Sequence, residues 1–176
     1  MKRLLMTIPL AALAASCGGD EPKAAAKAER PAVMPAGQWN ATMRVTSSRT
    51  LEAGEPRITM ANGTEVRGEG CVAGGDQRPP AELFGGDTVS NCRWWDNTYM
   101  MRNGRLMANA TCQREGIGNV ELGVNVTFTD TEFQGTVEYS TRSGEMGDVL
   151  IVMDARGQHG GACAPAGTGG NQSNAS

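Results

Sequence analysis

A single histidine occurs among the 176 residues, and its isolation removes most routes to acyl transfer. A nucleophilic Ser or Cys needs a base beside it, and His159, in Gly-Gln-His-Gly-Gly, reads as a solvated loop residue. No Gly-x-Ser-x-Gly elbow, no Ser-x-x-Lys and no Gly-rich phosphate loop followed by Lys is present. Carboxylates can act as acid and base without histidine. Here Glu65, Glu69, Glu121 and Glu138 all fall at polar strand positions, where solvation accounts for them. No C-x-x-C pair exists, which argues against a Cys₄ zinc site. Basic residues are not in excess: the formal charge is −3, and an acidic chain offers little to a nucleic-acid backbone. Aromatics are few, three Trp, two Tyr and three Phe, so the core must be lean and built from Val, Leu, Met and Ala. The expectation is a protein without catalytic residues, cofactor or nucleic-acid partner.

What is present begins at the amino terminus. Met1-Lys2-Arg3 precedes an apolar run over residues 4–13, and Ala14-Ala15-Ser16 leads into Cys17. A basic start, a short apolar stretch and small residues form an export signal; the run is well short of the ~20 residues of a membrane-spanning helix. Small residues ending at a cysteine are what a lipoprotein signal peptidase cuts, leaving Cys17 as the acylated first residue. At about 0.8 kcal/mol per buried CH₂, several acyl chains hold a protein on a membrane nearly permanently. An ordinary secretory signal with a chance cysteine is the alternative. Gly18, where Asp would favour retention at the inner membrane, directs the expectation to the periplasmic face of the outer membrane. Removal of Lys2 and Arg3 with the leader takes the mature charge to near −5.

Four further cysteines remain: Cys71, Cys92, Cys112 and Cys163. An even set in an oxidising compartment reads as two disulfides, for which three pairings exist. Cys92–Cys112 is favoured because both flank one hairpin, which leaves Cys71–Cys163.

Residues 17–36 read as the lipidated Cys and a polar tether, 37–163 as the folded domain, and 164–176 as a disordered Gly/Ser/Asn tail. Inside the domain the hydrophobic period is two. Trp39, Ala41, Met43 and Val45 alternate with polar residues. Val120, Leu122, Val124, Val126 and Phe128 do the same, followed by Phe133, Val137 and Tyr139. A turn at Asp130-Thr131 sets Phe128 against Phe133 and Val124 against Val137, which places every apolar residue on one face.

Asn103-Gly104 marks a second hairpin, with Met101 facing Leu106, Tyr99 facing Ala108 and Trp95 facing Cys112. Cys92 then falls on the wrong face for Cys112, and a bulge near Asp96-Asn97 would restore the parity. A last strand, 148–156, is apolar on both faces and so central or covered. Residues 78–85 suit one short helical turn, with Pro near its start and Gly at its end. The fold class expected is all-β: an antiparallel meander of about seven strands, strongly curved or barrel-like, with one short helical turn.

Adjacent strand residues point to opposite faces, so Trp94 and Trp95 cannot share one core. With Trp95 inward, Trp94 lies outside as a contact surface for a hydrophobic ligand or an envelope protein, unless the 78–85 turn or the tether covers it. The methionines Met43, Met60, Met100, Met101, Met107, Met146 and Met153 are soft thioethers suited to copper or silver. Met43, Met101 and Met153 fall on apolar faces, where Met fills gaps.

Met-Pro-Ala-Gly-Gln-Trp-Asn-Ala-Thr-Met at 34–43, Gly-Cys-Val at 70–72 and Asn91-Cys92-Arg93 form a distinctive series. The run at 104–112 and the Gly-Gly-Ala-Cys ending at Cys163 complete it. This layout resembles the domain-of-unknown-function 3617 family, small exported proteins of Gram-negative bacteria, many of them lipoproteins. The resemblance implies an exported β domain with paired cysteines, and carries over no catalytic residue.

Overall fold

Among the described residues the period of two becomes eight antiparallel strands: β1 (Gly37–Thr50), β2 (Glu65–Val72), β3 (Ser90–Trp94), β4 (Met100–Arg102), β5 (Arg105–Arg114), β6 (Gly118–Phe128), β7 (Glu132–Ser140) and β8 (Val149–His159). This computed structural model describes residues 30–51, 53–75, 77–141 and 147–163. The leader, Cys17, Met146 and the 164–176 tail lie outside the described residues. One sheet holds all the strands in the order β2-β1-β8-β7-β6-β5-β3, with β4 also on β5. It curls into an antiparallel half-barrel. From β5 to β8 the order follows the chain; then β1 pairs with β8, the first strand against the last.

The β6–β7 hairpin has the expected register, Phe128 facing Phe133 and Val124 facing Val137. Its inner residues Val120, Leu122, Val124, Val126, Phe128, Phe133, Val137 and Tyr139 are all buried. Strand β8 lies between β1 and β7, which explains its apolar character on both faces: Val149, Ile151 and Met153 are in the core, and Leu150 on the opposite side is also buried.

A helical turn, α1 (Glu82–Gly85), continues as a 3-10 turn over Gly86–Thr88. It plugs the half-barrel, because Leu83 and Phe84 are fully buried. At roughly 1.5–3 kcal/mol per buried large apolar side chain, this turn contributes a substantial share of a lean core. The plug fits because the inner face of β2 is partly bare. A Cβ on Gly68 would overlap the backbone of Leu83, and one on Gly70 would meet the Pro80 ring.

The folded part starts earlier than the expected boundary at 37. Met34 is buried, Gly104 N–H donates to the Pro31 carbonyl at 2.6 Å, and the Trp39 indole N–H donates to the Pro35 carbonyl at 3.0 Å. A single buried side chain immediately before a proline carried no periodic signal, so the sequence read this segment as tether.

Candidate functional site

Five of the eight aromatics, Trp39, Phe84, Phe128, Phe133 and Tyr139, are buried. The other three, Trp94, Trp95 and Tyr99, are half-buried and lie together at the β3–β4 edge. Their placement depends on a slip in the strand pairing. At the Asn103-Gly104 turn both residues have positive φ, 51° and 69°, as a type I′ turn requires, and Met101 faces Leu106 as expected. Continued unbroken, that register would set Trp94 against Gln113. A turn after Trp95, in which Thr98 N–H donates to the Trp95 carbonyl at 3.3 Å, loops out three residues, and Trp94 faces Ala110 instead.

An odd slip inverts the face of everything before it. The expectation that Trp95 points inward and Trp94 outward is therefore reversed. Trp94 packs on the core, edge-on to Phe84 at 6.0 Å, and its indole N–H donates to the Pro79 carbonyl at 2.8 Å. The 78–85 segment covers it. Trp95 takes the outer face, where its ring N–H donates to Thr111 Oγ1 and its backbone N–H to the Asn109 carbonyl, both at 2.8 Å. The same slip brings Cys92 opposite Cys112, with Cα atoms 4.0 Å apart and the sulfurs at disulfide distance. Cys71 and Cys163 form the second pair, 5.5 Å between Cα atoms.

Tyr99 completes the edge. Its ring is 5.7 Å from Trp94, and the Arg78 guanidinium lies 4.4 Å from the ring centroid, a cation–π geometry. Arg78 is held in turn by Asp96 at 2.7 Å. Burial pushes the Tyr99 hydroxyl up to about 12, while the Arg78 charge opposes the shift. Along the same outer face Met100 faces Met107, both half-buried, and Arg102 faces Arg105, both exposed.

A second feature is a concavity of about 880 Å³ that crosses β2, β1 and β8 and reaches Glu82 and Asp87. In register, Thr42 stands between Arg67 and Arg156, so an arginine flanks it on each neighbouring strand. The walls carry cations and carboxylates together, which suits a polar ligand.

His159 is not a loop residue. It ends β8, its ring lies 5.2 Å from the Trp39 indole, and Nε2–H donates to the Ala36 carbonyl at 2.9 Å. The flanking glycines suggested a loop, but strand β8 runs through Gly157. Glu65, Glu69 and Glu138 are exposed and Glu121 is half-buried. Met43 and Met153 are buried, and Met60 and Met101 pack against the core. Among the described residues no three His, Cys, Asp or Glu side chains are grouped to hold a metal ion.

One polar cluster had no clear sequence signal. Asp148 is buried, accepts a hydrogen bond from Thr141 Oγ1 at 3.1 Å, and lies 3.7 Å from Arg57. Only an acid at the start of an apolar strand hinted at it.

The fold and site define an all-β half-barrel with two cysteine pairs at disulfide distance, plugged by a helical turn. Residues 34–163 match the family described as "Protein of unknown function (DUF3617)", and the chain belongs to that family. No curated protein and no solved structure matches it.

Proposed function

We propose that this protein is an exported domain, held on a membrane by acyl chains on Cys17, that binds an envelope component without catalysing a reaction. The observation that carries the reading is the outward Trp95, beside the in-register pair Met100 and Met107. Apolar side chains on the outer face of a sheet are contact surface, since they contribute little to the core. Two cysteine pairs at disulfide distance suit an oxidising compartment, and the leader ending at Cys17 supports export and lipidation. Gly18 supports the periplasmic face of the outer membrane as the destination.

Intact mass spectrometry of the native protein extracted from membranes tests this. The expected species begins at Cys17 and carries diacylglycerol and a further acyl chain, and Cys17→Ser releases the domain from the membrane. A native chain that keeps its first sixteen residues and carries no lipid would overturn the reading.

A second reading takes the Met100–Met107 pair as two thioethers for a soft ion. Titration with Ag(I) distinguishes it: micromolar binding lost in Met100→Leu/Met107→Leu supports a metal role, and no binding removes it.

A further inference from the structure

The outer face at β3–β5 carries cations as well as apolar groups, and it adjoins the point where the chain enters the fold. Arg102 and Arg105 stand directly opposite each other across β4 and β5. Like charges in that position destabilise a sheet, and among the described residues neither makes an ion pair. Arg105 hydrogen-bonds to Asn125 Oδ1 at 3.1 Å, a neutral acceptor. Arg30 joins them, since its side chain lies against Gly104 in the turn between the two strands. Three arginines thus meet at one turn. The neighbouring turn brings two exposed carboxylates, Asp130 and Glu132, both without an ion pair among the described residues, so the arginines remain in excess.

Two residues further along β4 and β5 lie Met100 and Met107, and further still Trp95. Cations beside half-exposed Trp and Met are the pattern of a surface that sits at a membrane interface, charges at the headgroups and apolar groups just beneath. The chain leading back to Cys17 joins the fold beside this surface. Arg30 is the first described residue, and the thirteen residue steps back to Cys17 span at most about 45 Å fully extended. The acylated end therefore starts from the corner that carries the arginines.

We propose that the outer β3–β5 corner, with Arg30, Arg102 and Arg105 beside Trp95, Met100 and Met107, docks onto anionic phospholipid headgroups of the membrane that holds the lipid anchor. This deepens the reading above and rests on it: the partner of the contact surface is the bilayer itself. The anchor keeps the protein at the membrane, and the corner sets its orientation there.

Vesicle co-sedimentation tests docking separately from anchoring. The chain from Gly18 onward, which contains every described residue, is mixed with vesicles of phosphatidylcholine alone or with phosphatidylglycerol added. The expected result is binding to the phosphatidylglycerol vesicles that weakens with salt and is absent from the neutral ones. Arg102→Gln/Arg105→Gln is expected to weaken it by about thirtyfold, with the thermal midpoint unchanged or raised. On vesicles containing brominated lipid, part of the tryptophan emission is quenched, and Trp95→Phe removes that part. Equal binding to both vesicle types, no binding to either, or binding unaffected by the arginine pair would overturn docking. So would full competition by millimolar inorganic phosphate, which would make the corner a free-anion site. None of these outcomes bears on whether Cys17 is acylated, which the mass of the native protein decides.

Discussion

The imidazole of His159 lies 5.2 Å from the indole of Trp39, and each ring donates a hydrogen bond to the segment that precedes β1: Trp39 to the Pro35 carbonyl and His159 to the Ala36 carbonyl. The last strand, the first strand and the entering chain are tied at one point. Truncating the fully buried Trp39 to Ala should cost about 3–5 kcal/mol. His159→Ala, at a half-buried site, should cost about 1 kcal/mol. Urea unfolding checks both, and similar losses for the two would show that the histidine is part of the core.

Gly157 sits on the inner face of β8 directly beneath the Phe133 ring, where an added Cβ would overlap the ring carbons. Gly157→Ala should therefore destabilise by about 1–3 kcal/mol through overpacking. Phe133→Leu in the same chain should recover part of that loss, since the shorter side chain vacates the space. Additive losses in the double variant would show that the clash is not with the ring.

The two cysteine pairs close loops of different length, 92 and 20 residues apart in sequence. On the chain-entropy account, Cys71→Ser/Cys163→Ser should cost about 4–5 kcal/mol and Cys92→Ser/Cys112→Ser about 3 kcal/mol. Peptide mapping without reduction should recover Cys71 joined to Cys163 and Cys92 joined to Cys112. Any other pairing would contradict the β3–β5 register.

Trp94 and Trp95 separate by the faces they occupy. Trp94→Ala removes a ring packed on Phe84 and Tyr99 and should cost about 2–4 kcal/mol. Trp95→Ala, on the outer face, should cost less than about 1 kcal/mol. Thermal unfolding of the two variants gives the comparison, and the reverse order would restore the register expected from the unbroken hairpin.

Alkaline pH should weaken the fold. Burial raises Tyr99 to about 12 against a usual 10.0, and it raises Tyr139 in the same direction, opposed by Arg114. Above pH 10 the unfolded chain releases these phenolic protons while the folded chain keeps them, so stability falls as pH rises from about 10 towards 12. The unfolding midpoint measured between pH 9 and 11 should drop, and Tyr99→Phe should reduce the drop. Arg78→Gln, by removing the cation that opposes the shift, should move the Tyr99 titration still higher.

The register of β6 and β7 was legible because two independent signals agree. The alternation through Val120–Phe128 and the turn at 130–131 allow only one pairing that buries every apolar residue. The β3–β5 register was not legible, since the Asn103-Gly104 turn is correct locally yet the pairing slips beyond it. Nothing in Asp96-Asn97-Thr98 states how many residues loop out, and one residue or three give the same parity. The contact surface inherited that ambiguity: an outward-facing Trp was expected at this edge, and the slip made it Trp95 in place of Trp94.

Period, turn dipeptides and cysteine parity were enough for an all-β domain with paired cysteines, because alternation, φ > 0 at Asn-Gly and an even thiol count are local properties. The export and acylation proposed for residues 1–17 rest on local signals of the same kind. What required the folded chain was everything that joins distant segments. The union of β1 with β8, the plug of Leu83 and Phe84 against a glycine face, the capture of His159 by Ala36 and the gathering of Arg30, Arg102 and Arg105 all depend on which surfaces fit once the sheet has curled. Such contacts are selected by packing and charge across long sequence separations, and no neighbouring residue encodes them.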